Sequence, residues 1–483
     1  MQLPPATIPI LKTWHSSEGI YIYGSETRIV LSNIPDAETE QFEKRATLFA
    51  AELHRVTGHH PSVVSHQEPQ TGDICLNIRR EAKHSLADEG YQLIVGAWAT
   101  INAPTMRGLF YGTRTLLQML KQSRSLPCGM AQDRPDYPER GLMLDLGRKY
   151  LSVGHLENII RELAYLKYNL LHLHLSDSPG FRLESERHPE IVAEQHYTKA
   201  EIRSFIALAQ DYHITIVPEI DMPGHMNAIL ATRPHLGLDP AVGSQPHVGA
   251  GYFLDLGNEE AFTLMRDLLE EYLPLFPGPY WHLGADEYVY PWEFVKYPSL
   301  VAASRRYCGP DAHPRDIFYY FLNWANDIVK AHGKTMRVWS DTLDRDGTIH
   351  ADTDIIREHW KYGLSAREVV DLGHRIMNCN LDMLYYTPPE HYSDSRAIYE
   401  AFEPHHFQDG TIEPHHPLNL GAKLHFWGDH AAKLGLSEQA VVAGLHEPLR
   451  ALAQKVWGGG NVGAYEAFQE IVERVGSSFP IDE

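Results

Sequence analysis

From Gly141 onward the chain repeats one pattern: a short apolar run, a polar or aromatic residue at its end, then a stretch with helical spacing. The runs fall at residues 141–146, 170–175, 214–220, 280–283, 335–339, 354–360, 375–378 (running on to Tyr385) and 422–427. Between them, Ser152 precedes Leu156, Ile159, Ile160, Leu163 and Leu166 on one helical face. Thr198 and Glu201 form a capping-box signature before Ile202, Phe205, Ile206 and Ala209, and residues 261–272 read as a further helix. Eight strand–helix units over about 300 residues predict an α/β fold, a (β/α)8 TIM barrel with large loops, whose chemistry sits at the carboxyl ends of the strands.

Residues 1–136 read differently, as a smaller α+β domain. Strands are expected at 29–31, 73–78 and 91–101, the last as one strand or a hairpin broken at Gly96. Phe42, Ala46, Phe49, Leu53 and Val56 recur at helical spacing with Gly58 as a C-cap, and a second helix covers 106–120. No catalytic constellation is found there. Pro135, Pro138 and Arg140 mark the exit, which assigns 137–483 to the barrel. Hydrophobic residues make up 43% of the chain, as in globular proteins. The formal charge of −21 argues against nucleic acid or an anionic membrane as partner. No apolar run is long enough to span a bilayer. The opening MQLPPATIPILK lacks a basic segment followed by an apolar one, so a cytoplasmic location is expected, although a trimmed secreted form would look the same. Cys75, Cys128, Cys308 and Cys379 are scattered without metal-ligand spacing and suggest no disulfide framework.

The strand ends collect Arg148, Asp177, His225, Asp286, Glu287, Trp339, Trp360, Tyr385, Trp427 and Asp429. Asp286 and Glu287 carry the most weight. Adjacent acids after a buried strand sit in costly surroundings unless they do chemistry or find partners. The other Asp-Glu pairs, Asp88-Glu89 and Asp482-Glu483, read as solvated surface. No Ser or Cys lies beside a base. The flat, rigid, apolar faces of three tryptophans suit sugar rings, while carboxylates and arginine suit hydroxyl groups, so the set reads as a sugar pocket. The competing reading makes each tryptophan an ordinary core residue. His172 and His174 point to one face of a strand and, with Asp177 and His225, imitate the ligands of a metal-dependent amidohydrolase. The set lacks a fitting first strand, and interior-layer histidines are the preferred reading. Residues 387–419, rich in His and Pro, are expected to form an active-site loop with little regular structure. Its pairs His405-His406 and His415-His416 are expected to be solvated.

Several segments together resemble the family 20 glycoside hydrolases, or β-N-acetylhexosaminidases. GLMLDLGRKY is similar to the family's first barrel strand with its sugar-binding arginine, here Arg148. HLHLSDSPGFR is similar to the second strand, carrying Asp177, and EIDMPGH to the third, ending in His225. HLGADE matches the catalytic motif, and GYQL with GLFYGTRTLLQML looks like the family's N-terminal α+β domain. The resemblance implies a retaining mechanism in which the substrate's own 2-acetamido oxygen attacks C1. It casts Glu287 as general acid and base, and Asp286 as the group that holds the acetamido N–H. Tyr385 becomes a donor to the acetamido oxygen, and Asp177 with His225 a pair tuning Glu287. Trp339, Trp360 and Trp427 become walls. No cofactor or metal is implied. The implied substrate is an oligosaccharide or glycoconjugate ending in N-acetylhexosamine, and a relative releasing a disaccharide, or a non-catalytic glycan-binding protein, is the alternative. Oligomeric state stays open. Four positions depart from the family pattern: Ser178 for Asp, Phe181 for Trp, Thr387 for Asp, and Asp429 for Glu. The last two map to the far hydroxyls of the sugar and imply weak discrimination between GlcNAc and GalNAc.

Overall fold

The computed structural model describes residues 4–33, 38–240, 251–341, 343, 345–459 and 462–478. The first sheet holds β1 (His15–Ile22), β2 (Arg28–Ser32), β3 (Ser62–Ser65), β4 (Ile74–Ile78), β5 (Tyr91–Val95), β6 (Ala99–Ala103) and β7 (Ser125–Asp133), in the order β1-β7-β5-β6-β4-β2-β3. The run at 91–101 resolves into a hairpin, with Val95 opposite Ala99. The helix Thr39–Thr57 ends where Gly58 takes φ 74° and its N–H bonds the His54 carbonyl, the left-handed cap that glycine allows. The helix Met106–Gln122 is buried on nearly every side. It lies on β5 and β6 and also touches the helix Val153–Tyr165 of the barrel.

The barrel strands are β8 (Glu139–Asp145), β9 (Leu170–His174), β10 (Thr215–Glu219), β11 (Tyr280–His282), β12 (Thr335–Trp339), β13 (Ile356–His359) and β14 (Ile376–Asn378). After β15 (Tyr385–Tyr386), β16 (His406–Phe407) and β17 (Gly410–Thr411) comes the closing strand, β18 (Asn419–Phe426). All eight staves are parallel, and β18 closes the ring by pairing with both β14 and β8. The seventh stave is split. The chain leaves after Asn378, makes the helical turn Leu381–Leu384, and returns as β15 with Tyr385 opposite His425.

Three expectations are corrected. Residues 387–419 are not structureless: they hold the helix Ser395–Ala401 and the β16–β17 hairpin, and Asn378 Nδ2 donates to the Pro404 and His406 carbonyls. His405, His406 and His416 are therefore half-buried, and His415 is exposed. Glu89 is not solvated, because the buried Arg140 guanidinium lies 2.7 Å from its Oε2. The other pair, Asp482-Glu483, falls outside the described residues.

The barrel interior departs from the branched apolar filling usual for this fold. Arg337, Glu358, Lys423, His172, His174, Glu219 and His282 are all buried there. Each charge is answered by a neighbour. Arg337 Nε lies 2.7 Å from Glu358 Oε1 and its Nη1 is 2.9 Å from Glu139 Oε2, while Lys423 Nζ bridges Glu358 and His172. No helix among the described residues is long and apolar enough to cross a membrane.

Where the α+β domain meets the barrel, Lys167 Nζ is fully buried, 2.8 Å from the Tyr91 hydroxyl, 3.2 Å from Asp133 Oδ2 and 4.6 Å from the Trp457 ring centroid. The Trp457 indole N–H donates to Asp133 Oδ1 at 2.9 Å. Removing the acid strands a buried ammonium. Asp133→Ala is therefore expected to cost about 3–5 kcal/mol in urea unfolding; a loss below about 1 kcal/mol contradicts this account of the seam.

Candidate active site

After β11 the chain turns through three left-handed residues: Gly284 at φ 78°, Ala285 at 71° and Glu287 at 44°. Gly284 is required, since a Cβ there would sit 1.8 Å from Asp221 Oδ1. Left-handed backbone at a non-glycine residue costs on the order of 1–3 kcal/mol and persists only where neighbours hold it. Two carboxylates do so. Asp221 Oδ1 accepts the Ala285 N–H at 3.1 Å, and Asp341 Oδ2 accepts the Glu287 N–H at 2.9 Å. The turn buries Asp286 and leaves the Glu287 side chain 51% exposed at the barrel mouth. Asp286 Oδ1 is buried and accepts no N–H or hydroxyl hydrogen bond among the described residues, and the Asp221 carboxyl lies beside Asp286.

Nine of the ten sequence-predicted residues line one cleft of about 320 Å³: Arg148, His225, Asp286, Glu287, Trp339, Trp360, Tyr385, Trp427 and Asp429. The tenth, Asp177, lies behind His225, its Oδ2 3.1 Å from His225 Nδ1, 2.8 Å from Arg148 Nη2 and 3.0 Å from His174 Nε2. His225 Nε2 faces both acids, 3.5 Å from Asp286 Oδ2 and 3.7 Å from Glu287 Oε2. Arg148 is held by Asp145 at 2.9 Å and reaches toward Asp429 at 3.8 Å. Trp360 and Tyr385 lie nearly parallel, centroids 6.0 Å apart, with Trp427 6.0 Å from Tyr385 and 5.8 Å from Trp339. Phe181 and Ser178 stay outside this group: Phe181 is buried against Tyr272, and the Ser178 N–H donates to Asp177 Oδ1.

The protonation pattern follows from burial and neighbours. Burial lowers the His225 pKa, but Asp177 and then Asp286 outweigh it and bring it to about 9, so the imidazole is cationic at neutral pH. Burial raises the Asp221 pKa well above the usual carboxylate range, and the neighbouring Asp286 charge adds to it. Burial and Asp286 likewise bring Asp341 to about 7. Burial keeps the Tyr385 phenol protonated and available as a donor.

Sequence reading missed four groups. Glu219, the inward residue two after Val217 on β10, binds four partners. Its Oε1 accepts the Trp339 indole N–H at 2.7 Å and lies 3.0 Å from His282 Nδ1, and its Oε2 is 2.6 Å from His174 Nδ1 and 3.0 Å from His172 Nε2. His172, His174 and His282 are thus buried around Glu219; His172, Glu219 and His282, and likewise His174, Asp177 and Asp221, bring possible metal-ligand atoms within 4.8 Å of one another. Burial opposes its charge, yet His174, His282 and His172 hold it well below the usual carboxylate range. Asp221 was visible inside the third-strand motif, and Asp341 two residues past Trp339; strand-end reading stopped one step short. Tyr252, whose hydroxyl lies 2.8 Å from the His225 imidazole, comes from the long connection between β10 and β11 and carried no local signal. Thr387 shares its wall with Glu390 and His391.

Residues 137–448 match the catalytic domain of glycosyl hydrolase family 20, and residues 4–134 match domain 2 of the same family. The chain belongs to glycosyl hydrolase family 20. It is 29% identical over 463 residues to a lacto-N-biosidase of Bifidobacterium bifidum, covering 94% of this chain and 40% of that protein. It is 28% identical over 365 residues to a β-hexosaminidase of Porphyromonas gingivalis, covering 70% of this chain and 45% of that one. The chain thus spans less than half the length of either relative. The fold is shared with an exo-β-N-acetylglucosaminidase from Vibrio harveyi (TM-score 0.80, 20% identity, 98% of this chain and 77% of that one). It is shared also with a β-N-acetylhexosaminidase from Bacteroides fragilis (TM-score 0.78, 23% identity, 98% and 96%).

Glu219 orients both the cleft floor, through Trp339, and the His174–Asp177–His225 chain. Glu219→Gln keeps the shape but removes the charge that His174 and His282 answer. Its kcat/KM is expected to fall about a hundredfold, the scale of an ångström-sized misplacement at the reacting centre. Steady-state kinetics check it; a change below about threefold (under 1 kcal/mol) removes Glu219 from the account.

Proposed function

We propose that the chain is a retaining, exo-acting β-N-acetylhexosaminidase that removes terminal β-linked GlcNAc or GalNAc by substrate-assisted catalysis. The observation that carries this reading is the buried Asp286 Oδ1 beside the exposed Glu287 in an aromatic cleft. An acceptor that no N–H donor of the described residues fills suits the substrate's acetamido N–H. Glycosidases that supply their own nucleophile from two carboxyls hold them about 5 Å apart on separate supports. Here both acids sit on one turn, which suits a reaction whose nucleophile arrives with the substrate.

In this mechanism Asp286 accepts the acetamido N–H and Tyr385 donates to the acetamido oxygen, which then attacks C1. Glu287 protonates the leaving oxygen, and the glycosidic C1–O bond breaks. Asp286 stabilises the charge of the resulting oxazolinium. Glu287, now a base, takes a proton from water as water attacks C1 and the ring reopens. The His225 cation and Asp177 set the field around both acids. Trp339, Trp360 and Trp427 enclose the acetamido group and ring, while Arg148 and Asp429 face the far hydroxyls. Asp177, the acid of the amidohydrolase-like set, is answered by Arg148, His174 and His225. Chelators are expected to leave the rate unchanged.

A second reading, release of a disaccharide, is favoured by one observation: the lacto-N-biosidase matches 94% of the chain, against 70% for the β-hexosaminidase. The wall at Thr387, with Glu390 and His391, is where a second sugar would enter. Aryl β-glycosides of GlcNAc, of GalNAc and of a disaccharide ending in GlcNAc separate the readings. The exo reading requires the two monosaccharides to be cut within about a hundredfold of each other and the disaccharide to be poor. Cleavage of the disaccharide alone transfers the function to the second reading.

Two outcomes follow from the roles. Glu287→Gln is expected to impair natural glycosides far more than nitrophenyl ones, because nitrophenolate leaves without a proton; equal losses contradict the acid role. His225 binds its proton more tightly folded (about 9) than unfolded (about 6.5), so its stabilisation is complete below pH ~6.5 and lost as pH rises through about 9. The basic limb of kcat/KM is expected near that pH. Asp177→Asn removes the largest influence holding the proton and is expected to move the limb to lower pH. A limb that stays in place contradicts the pairing.

A further inference from the structure

Just beyond Glu287 the surface carries exposed aromatic and aliphatic side chains that the reaction centre does not use. Trp292 is 66% exposed, Tyr362 69% and Val295 62%. Single exposed apolar residues are ordinary; a contiguous set beside a cleft marks a binding surface. Trp292 and Val295 belong to the 3₁₀ turn Pro291–Lys296, whose period of three places both on one outward edge. The same turn buries Glu293 and Phe294, with Phe294 packed on Tyr288 and Phe318, so the outward edge is fixed rather than loose. Tyr290 and Trp292 stack face to face, centroids 5.0 Å apart and planes 3° from parallel. Tyr290 stands three residues after Glu287. Lys361 lines the cleft, with its ammonium 4.2 Å from the Trp360 ring centroid and 4.7 Å from that of Tyr362. Tyr362 thus borders the cleft across Lys361, and the Tyr290–Trp292 stack follows directly on Glu287 along the chain.

We infer that Tyr290, Trp292 and Tyr362 form a stacking shelf for the sugars on the leaving-group side of the scissile bond, so that the preferred substrate is an extended glycan rather than a short glycoside. This rests on the proposed glycosidase reading. Glu287 delivers its proton to the leaving oxygen, so the leaving chain departs past Glu287, where this shelf lies. Flat, pre-stacked rings offer apolar faces to successive pyranose rings and order few rotatable bonds when they do so. A peptide or a second copy of this chain is the other occupant that such a patch could take, and the test separates them.

The probes are methyl β-N-acetylglucosaminide, whose aglycone offers no ring to the shelf, and the β-1,4-linked GlcNAc dimer and tetramer. In the wild-type chain kcat/KM is expected to rise from dimer to tetramer. Trp292→Ala is expected to lower the tetramer value roughly five- to tenfold, the size of one aromatic contact, and to leave the methyl glycoside value within about twofold. Trp292→Tyr is expected to restore most of the loss, and an unchanged melting temperature shows that Trp292→Ala folds. A wild-type enzyme that gains nothing from chain length overturns the shelf, as does a Trp292→Ala loss equal on both probes. So does self-association in sedimentation that Trp292→Ala abolishes while tetramer hydrolysis stays unchanged. Inactivity of the wild type on the methyl glycoside itself points instead to failure of the exo-hexosaminidase reading, so the two failures are distinguishable.

Discussion

The Glu219 carboxylate is the point on which the site rests. It is buried inside the barrel, where a lone charge is prohibitively costly, and it is answered from four directions by His172, His174, His282 and the Trp339 indole. One oxygen fixes the cleft floor. The other fixes His174, which fixes Asp177, which shares His225 and Arg148. From a single strand residue the geometry thus reaches both sides of the cleft. A hydrocarbon-filled barrel could support strand ends, but it could not set the protonation of groups at its mouth.

The same economy appears one layer higher. Asp221 and Asp341 each use one oxygen to hold the left-handed turn that displays Asp286 and Glu287. Their own environment is shaped in return by the Asp286 charge, which favours their neutral forms. Backbone strain and carboxylate clustering are two expressions of one arrangement. The turn exists because Asp221 and Asp341 hold it, and the Asp286 charge in turn raises the pKa of both.

Much of this was legible in the sequence because the barrel strands are short apolar runs with their chemistry at the ends. The capping box at Thr198 and Glu201 and the left-handed cap at Gly58 were legible because their signals are local. The charged interior was not, because Arg337, Glu358 and Lys423 each look like an isolated polar interruption; their complementarity exists only once the ring closes. Tyr385 was placed at the end of a continuous strand, yet it arrives on a separate two-residue piece after a helical turn. Glu89 was misread as solvated because its partner, Arg140, lies across the domain seam. Asp341 was passed over because its role is to hold a backbone N–H from a different strand.

The central claim is that the nucleophile comes from the substrate, with Asp286 Oδ1 waiting for its acetamido N–H. The most direct measurement compares kcat/KM for a nitrophenyl β-glycoside carrying the 2-acetamido group with its 2-hydroxyl counterpart. The account predicts that the 2-hydroxy sugar is cut at least about a thousandfold more slowly, an activation barrier higher by roughly 4 kcal/mol. Comparable rates on the two sugars would contradict it.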